Sequence, residues 1–203
     1  MPDPIVHVID DDEPVRSSLS FVLEMNDLPA HTYASALDFL QIADSLRGGC
    51  VVTDVRMPEM SGLELVRRMK ERGISLPVVV ITGHGDVPLA VEAMRAGVVD
   101  FLEKPFDDEA LLKAVRMALD AQTKADAQDA ERRRFEQMLL TLSAREREVL
   151  SGVVSGKMNK VIAYELGISH RTVEVYRANV MSKTQANGLS ELVRIALLAG
   201  FEA

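Results

Sequence analysis

The stretch VVTDVRMPEMSGLEL, residues 51–65, decides the fold of this chain. An apolar run that starts at Cys50 ends at a carboxylate, Asp54. From Leu63 to Arg72 apolar residues then return every three or four positions, and Gly73 follows. A buried strand followed by an amphipathic helix with a glycine at its C-terminal end is the repeating unit of a parallel α/β sheet.

The same unit recurs throughout the first 120 residues. Further strands are predicted at Ile5–Ile9, Val78–Thr82 and Phe101–Glu103, with a weaker one at His31–Tyr33. Another helix is predicted at Val87–Ala96, again followed by a glycine. The pattern predicts a doubly wound α/β domain with five strands and five helices.

A second, all-helical domain is predicted after it. Residues 107–138 contain no Gly or Pro, so we expect the fifth helix to continue into a linker, although the polar segment 123–134 fits a frayed connector equally well. Ser143 and Glu146 form a capping box, Asn159 and Ser169 are predicted N-caps, Gly167 marks a turn, and a last helix is predicted at 189–198. We divide the chain into residues 1–120, a helical linker at 121–138, and a four-helix domain at 139–203.

Composition narrows the class of protein. The net charge is -8, yet from Ser143 onward eight Lys and Arg residues face six Asp and Glu residues, so the second domain is mildly basic. An acidic part followed by a basic part is expected if only the latter meets DNA. Cys50 is the single cysteine, and no apolar segment approaches the roughly 20 residues that span a bilayer, so we expect a cytoplasmic protein that does not bind membranes.

Unusual polar residues follow the predicted strands: Asp10 and Asp11, Asp54, Thr82, and Lys104. The carboxyl ends of parallel strands face one crevice, where ligands bind. Three carboxylates at about 4 Å from each other repel strongly unless a divalent cation neutralises them, and Mg²⁺ suits such a site. A carboxylate beside the metal can then act as a nucleophile toward a phosphoryl group.

Several of these residues also have a plainer interpretation. Asp11 or Asp12 can cap the helix that contains Pro14. Thr82 can be an ordinary strand-end threonine, and Lys104 a surface lysine near a turn. Their joint placement at successive strand ends favours the functional interpretation.

Four motifs, VIDDDEPVR (8–16), VVTDVRMPEMSGLEL (51–65), VVVITGHGD (78–86) and DFLEKPF (100–106), resemble in order and spacing the receiver domain of two-component response regulators. The resemblance covers residues 3–120 and implies a flavodoxin-like, CheY-like fold and a cis Lys104-Pro105 bond. It implies that a sensor histidine kinase phosphorylates Asp54, with Lys104 and Thr82 assisting. It also implies a Mg²⁺ site formed by Asp10, Asp11, Asp54 and the backbone carbonyl of Arg56. Thr82 and Phe101 would form a switch pair.

Phosphorylation adds nearly two negative charges and can reorder nearby loops. We expect the face made by the fourth helix and fifth strand to form a homodimer after phosphorylation. Val91, Arg95 and Asp100 lie on or beside that face, and their alternative role is that of solvated helix and loop residues.

The segment LSAREREVLSGVVSGKMNKVIAYELGISHRTVEVYRANVMSKT (142–184) resembles the LuxR-type helix-turn-helix of the NarL/FixJ family, over residues 139–200. The first helix of this motif takes its apolar side from Val161, Ile162, Ala163 and Leu166. The second helix is anchored by Val173, Val180 and Met181.

The free side of the second helix carries His170 and Arg171. The resemblance places Glu174, Val175 and Ala178 at base-facing positions, and Lys160, Thr172, Arg177 and Lys183 at the DNA backbone. A glutamate at position 174 would accept a hydrogen bond from cytosine, whereas Lys or Arg would contact guanine. The DNA sequence preferred by relatives with a basic residue at this position therefore does not apply to this chain.

These features together predict a phosphorylation-activated transcriptional activator and no enzyme, apart from slow loss of its own phosphoryl group. The expected partners are a sensor histidine kinase, promoter DNA, a second copy of the chain and, as a candidate, RNA polymerase. Within the family the motifs are nearest to the FixJ branch, which implies oxygen sensing by the kinase and promoters for nitrogen fixation or microaerobic respiration.

Two alternatives stay open at this point. One is a receiver whose C-terminal domain binds a protein instead of DNA. The other is an aspartate-nucleophile phosphatase. Such enzymes resemble a DxD pattern at the nucleophile, whereas Asp54 is followed by Val55 and Arg56, so the second carboxylate is missing.

Overall fold

A computed structural model describes residues 4–46, 48–83 and 87–201, without the side chains of 87–89. His84, Gly85 and Asp86 of the third receiver-like motif lie outside the described residues. The chain divides into two units, Met1–Ala125 and Asp126–Ala203, which are described separately below.

The first unit alternates strands and helices as the sequence predicts. The strands are β1 (Val6–Ile9), β2 (Ala30–Tyr33), β3 (Cys50–Asp54), β4 (Val78–Thr82) and β5 (Asp100–Glu103). The helices are α1 (Glu13–Glu24), α2 (Ala36–Ile42), α3 (Gly62–Glu71), α4 (Val87–Ala96) and α5 (Asp108–Leu140), with a 3₁₀ turn at Ala43–Ser45. All strand pairs are parallel, in the order β2-β1-β3-β4-β5. This is the flavodoxin-like order, so the predicted fold class is confirmed.

Both faces of the sheet are buried, which explains why its strands are nearly continuous apolar runs. Side chains that alternate along each strand belong to two separate cores. One core joins Ile9, Val51 and Val80 to helices α2 and α3, and the other joins Val52 and Val79 to helices α1 and α5. The polar residues that close the strands therefore lie at one edge of the sheet.

The loops at this edge are fixed by helix caps. The Asp12 side chain accepts a hydrogen bond from Val15 N and caps α1, so the capping interpretation holds for Asp12. Ser61 caps α3 through Glu64 N at 3.2 Å. The backbone passes Gly62 so closely that a Cβ there would lie 2.2 Å from the carbonyl oxygen of Asp54. The β3–α3 connection thus holds Asp54 against the start of α3.

Helix α5 runs from Asp108 to Leu140, and the polar segment 123–134 is helical throughout. In the second unit, Phe135 and Leu139 of this helix pack into the core of α6 (Ala144–Val154), α7 (Asn159–Leu166), α8 (His170–Thr184) and α9 (Leu189–Leu198). The last turns of α5 are therefore part of the second unit's core.

The helix ends of the second unit follow the predicted caps with one exception. Ser143 and Glu146 form both bonds of the capping box, Ser169 caps α8, and Gly167 has φ 65°. The prediction that Asn159 is an N-cap is wrong: Met158 occupies that position, and the Asn159 amide oxygen accepts from Arg177. Val161 was also misplaced, because it is exposed while Ile162 and Ala163 are buried.

Within the described part of the chain, no helix combines the length and the apolar composition that a membrane span requires.

Candidate functional site

Asp10, Asp54 and Lys104 meet at the carboxyl edge of the sheet. Asp10 follows β1, Asp54 ends β3, and Lys104 follows β5. The Lys104 ammonium donates to Asp54 Oδ1 at 2.9 Å and to Asp10 Oδ2 at 3.1 Å. The other Asp54 oxygen, Oδ2, accepts from the backbone N–H of Arg56 at 2.6 Å. Residues far apart in the sequence thus form one carboxylate-rich pocket, and the Lys104-Pro105 bond is cis, as the resemblance implied.

The pocket holds its acidic groups in a poorly solvated setting. The Asp10 side chain is only 4% exposed and that of Asp54 11%. Burial raises the pKa of Asp10, although the Asp12 N–H and the Lys104 ammonium act against the shift. Burial alone would lower the pKa of Lys104, but the hydrogen bonds and charges of Asp54 and Asp10 outweigh it and raise that pKa. One cation therefore serves two buried carboxylates, which leaves the pocket with an excess of negative charge.

The residues fit a hard divalent cation. Carboxylate oxygens from two strands converge, and Asp11 lines an adjoining open cleft of about 620 Å³ together with Arg56. Among the described residues, no three His, Cys, Asp or Glu side chains are grouped closely enough to form a metal site by themselves. A small oxygen-seeking ion that keeps several waters matches two buried carboxylates and one exposed carboxylate, so the donor set suits Mg²⁺.

Thr82 and Phe101 lie on neighbouring strands, on the same face of the sheet. Thr82 ends β4 and is fully buried, and Phe101 in β5 is the register partner of Val80. Val80 and Thr82 are two residues apart, so their side chains and that of Phe101 share a face. Phe101 is half-buried against the core that contains Val80. The geometry suits a pair in which movement of one side chain makes room for the other.

The face predicted to dimerise is partly apolar and accessible. On α4, Val91 is 44% exposed and Arg95, one turn later, is exposed as well. Asp100 is half-buried, and its carboxylate accepts from the backbone N–H of Phe101 at 2.8 Å. Val91 and Arg95 are therefore accessible for contact with a partner, whereas the Asp100 carboxylate is hydrogen-bonded at the start of β5.

Helix α8 has the two-sided character of a recognition helix. Val173, Val180 and Thr184 are buried against the second unit's core. The opposite side carries exposed residues at helical spacing: His170, Arg171, Glu174, Val175 and Ala178. The His170 ring lies 3.5 Å from the Glu174 carboxylate. Lys160, on the preceding helix α7, is exposed too.

Three of the residues assigned to the DNA backbone are bonded within the domain. Thr172 shares a hydrogen bond with the Ser169 hydroxyl at 2.7 Å. The Arg177 guanidinium donates to the Asn159 side chain. Lys183 donates to Glu146 Oε2 at 2.6 Å and to the carbonyl of Thr141 at 3.2 Å.

Sequence reasoning missed a buried histidine in β1. His7 is 1% exposed, its Nδ1 lies 3.0 Å from the Tyr33 hydroxyl, and Phe39 packs on its ring. Burial, aided by the nearby His31, lowers the pKa of His7 to about 4. The available signal was a polar residue at the centre of an otherwise apolar strand.

Comparisons with known proteins agree with both halves of the chain. Residues 6–116 match the family described as "Response regulator receiver domain", and residues 140–196 match "Bacterial regulatory proteins, luxR family". Together these matches take in both domains.

Individual proteins resemble either nearly the whole chain or its first domain. The transcriptional regulatory protein FixJ of Azorhizobium caulinodans is 55% identical over 98% of this chain and 95% of its own. The crystal structure of full-length FixJ from B. japonicum matches with a TM-score of 0.61 and 47% identity, covering 100% of both chains. The solution structure of a beryllofluoride-activated NtrC4 receiver domain dimer matches with a TM-score of 0.55 and 36% identity, over 58% of this chain and 98% of that chain.

Proposed function

The chain belongs to the two-component response regulators with a luxR-type DNA-binding domain, and from that premise we propose that phosphorylation of Asp54 controls its binding to promoter DNA. The observation that carries the proposal is the convergence of Asp10, Asp54 and Lys104 at one edge of the sheet. The phosphoryl donor is a sensor histidine kinase, and the regulator acts in the cytoplasm, where promoter DNA lies.

Asp54 is suited to accept a phosphoryl group. One of its oxygens is held by Lys104 and the other by the Arg56 N–H, so the carboxylate is fixed in place. A carboxylate oxygen bonds to phosphorus while the bond from phosphorus to the donor's histidine nitrogen breaks, and the electron pair of that bond stays on the nitrogen. Lys104 can shift its hydrogen bond to a phosphoryl oxygen and stabilise the charge that develops there.

Asp10, Asp11 and Asp54, with the backbone carbonyl of Arg56, would hold Mg²⁺. When bound, this ion supplies charge neutralisation for the attacking carboxylate and for the phosphoryl oxygens. The burial of the Asp10 side chain supports this assignment, because a desolvated carboxylate gains most from an added positive charge.

The phosphoryl group then acts on Thr82 and Phe101. Added oxygens at Asp54 give the Thr82 hydroxyl a charged acceptor, because β4 pairs directly with β3. Movement of Thr82 vacates space on the sheet face that it shares with Phe101, and the half-buried ring turns inward. This rearranges α4 and β5, the elements that carry Val91, Arg95 and Asp100.

We assign a homodimer of phosphorylated receivers to that face. Val91 supplies exposed apolar surface, and Arg95 supplies a charge for pairing across a two-fold axis. The solved dimer of an activated receiver at 36% identity supports dimerisation of a receiver domain on activation.

The second unit reads DNA through α8. Glu174, Val175 and Ala178 form the middle of its exposed side and face base edges, while Lys160, His170 and Arg171 flank them near phosphates. A mildly basic domain binds one half-site weakly, so two linked copies on a two-part site bind much more tightly. RNA polymerase is then recruited to the promoter.

The target promoters in this proposal are those of nitrogen fixation or microaerobic genes, under a kinase that responds to oxygen. The similarity to FixJ over almost the full chain supports this assignment. The regulator itself loses its phosphoryl group slowly and turns over no other substrate.

The proposal is tested by selecting binding sites from random duplex DNA with the full chain, with and without acetyl phosphate and Mg²⁺. We expect one two-part sequence to be enriched, and enriched more strongly with the phosphodonor. Failure to enrich any sequence, together with capture of a protein partner, would favour the protein-binding alternative. Steady turnover of phosphate esters would favour the phosphatase.

A further inference from the structure

Two cationic side chains of α8 are bonded to other helices of their own domain. Lys183 Nζ lies 2.6 Å from Glu146 Oε2, and Arg177 donates to the Asn159 side chain. Glu146 belongs to the first turn of α6, and Asn159 is the first residue of α7. These contacts connect the last turn and the middle of α8 to the N-terminal ends of α6 and α7.

The Glu146–Lys183 pair joins a buried carboxylate to an exposed ammonium. The Glu146 side chain is only 5% exposed, and the same carboxylate oxygen accepts from the backbone N–H of Ser143 at 2.7 Å. The Lys183 hydrogen bond, followed by that of Ser143, lowers the pKa of Glu146. Without Lys183, the buried carboxylate would keep its charge but lose its cationic partner, which is destabilising.

Other cations near the recognition surface are differently placed. Lys160 and Arg171 are exposed, and among residues 4–46, 48–83 and 87–201 neither side chain has a hydrogen-bond or ion-pair partner. Their ammonium and guanidinium groups are available to phosphates. A phosphate contact by Lys183, in contrast, would have to compete with a buried carboxylate at 2.6 Å.

We propose that Lys183 and Arg177 are positioning residues, which fix the recognition helix on α6 and α7, and that Lys160 and Arg171 make the phosphate contacts. This deepens the proposed function and rests on the second unit binding DNA. The surface of α8 that contacts DNA then ends near Ala178, about one and a half turns before Lys183.

The test compares Lys183→Met, the double variant Glu146→Gln/Lys183→Met and the matched control Lys160→Met in the full chain. Hydrogen exchange of α8 amides reports the fit of the helix. Affinity for a non-specific duplex, measured across a series of KCl concentrations, reports phosphate contacts. Glutamine at 146 can still accept from Ser143 N but carries no buried charge.

We expect Lys183→Met to speed exchange in α8 and weaken DNA binding at every salt concentration without changing the salt slope. Adding Glu146→Gln should restore both slow exchange and affinity. Lys160→Met should leave exchange unchanged and make the slope shallower by about 0.9, the value for one phosphate contact.

The inference is overturned if the double variant keeps the affinity loss and also shows a slope shallower by about 0.9. It is overturned as well if Glu146→Gln fails to slow the exchange caused by Lys183→Met. If even the parent chain shows no saturable DNA binding, the proposed function fails, while the exchange data still decide whether Lys183 positions α8.

Discussion

The Lys104 ammonium lies 2.9 Å from Asp54 Oδ1, although fifty residues separate the two in the chain. The same ammonium contacts Asp10 at 3.1 Å. Lys104 therefore contacts carboxylate oxygens that a metal ion or a phosphoryl group would also use. It must change hydrogen-bond partners during phosphorylation.

Replacing Lys104 by methionine should have opposite effects on metal binding and on phosphorylation. Without the ammonium, Asp54 Oδ1 and Asp10 Oδ2 lose their shared partner and no cation repels the incoming Mg²⁺, so we expect tighter Mg²⁺ binding by about tenfold or more. Phosphorylation by acetyl phosphate should slow by a similar factor, because a phosphoryl oxygen loses its charged donor. Calorimetric Mg²⁺ titration and the rate of phosphoryl uptake measure the two effects. Lys113→Met, at an exposed lysine of α5, is the control; weaker Mg²⁺ binding in Lys104→Met would contradict this account.

Gly62→Ala should destabilise the first unit and misplace the phosphoacceptor. A Cβ at this position would lie 2.2 Å from the backbone oxygen of Asp54, so β3 and α3 must move apart. Overpacking of this kind costs about 1–3 kcal/mol. Gly83→Ala is the matched control, because a Cβ there meets nothing within 4 Å. Urea midpoints for the two variants should differ clearly; equal midpoints would show that the connection is not tightly packed.

His7 should make the first unit acid-sensitive. Its pKa is about 4 in the folded state and about 6.5 when unfolded, so above pH 6.5 the residue is neutral in both states. Between pH 6.5 and 4 only the unfolded chain gains the proton, and stability falls as pH decreases, by about 3 kcal/mol in total. His7→Gln should lack this part of the pH dependence, whereas His31→Gln should retain most of it.

The single thiol provides the readout for the histidine variants. Cys50 is fully buried in β3, and burial raises its pKa to about 12, so it should react only when the first unit unfolds. Urea unfolding followed by thiol labelling at pH 7.5 and pH 5 gives the stability difference. Identical pH dependence in the parent and His7→Gln would show that His7 is not buried as described.

Thr82→Val should separate phosphorylation from its consequence. The substitution removes the hydroxyl of a fully buried side chain and leaves Asp54 and Lys104 in place. We expect phosphoryl uptake close to that of the parent and no increase in dimer by sedimentation after acetyl phosphate is added. Thr32→Val, at an exposed position in β2, should dimerise normally. Full dimerisation of Thr82→Val would show that the Thr82 hydroxyl is not needed to couple phosphorylation to dimerisation.

Much of the fold could be predicted because local patterns and burial agree. Strands β3 and β4 are buried on both faces, so their apolar runs are unbroken, and Gly73 and Gly97 have the positive φ of helix C-caps. The short edge strand β2 was the weakest prediction, because its side chains are half-buried or exposed. The polar stretch of α5 was ambiguous, since a solvated helix leaves no apolar periodicity.

Individual side-chain partners were less predictable than strands. Strand ends indicated that Asp10, Asp54 and Lys104 converge, but nothing local indicates that Lys104 contacts both carboxylates. The prediction that Asn159 is an N-cap failed because the Asn159 side chain accepts a hydrogen bond from Arg177 of α8. Capping rules consider only local partners and do not include such contacts between helices. The bond from Lys183 to Glu146 spans thirty-seven residues and has no sequence signature.

The most direct test of the account measures binding of the full chain to its selected duplex, with and without acetyl phosphate and Mg²⁺, for the parent and for Asp54→Asn. We predict that the phosphodonor tightens binding by the parent at least tenfold, about 1.4 kcal/mol, and leaves Asp54→Asn unchanged. An equal response of Asp54→Asn to the phosphodonor would contradict the central claim that a phosphoryl group on Asp54 controls DNA binding.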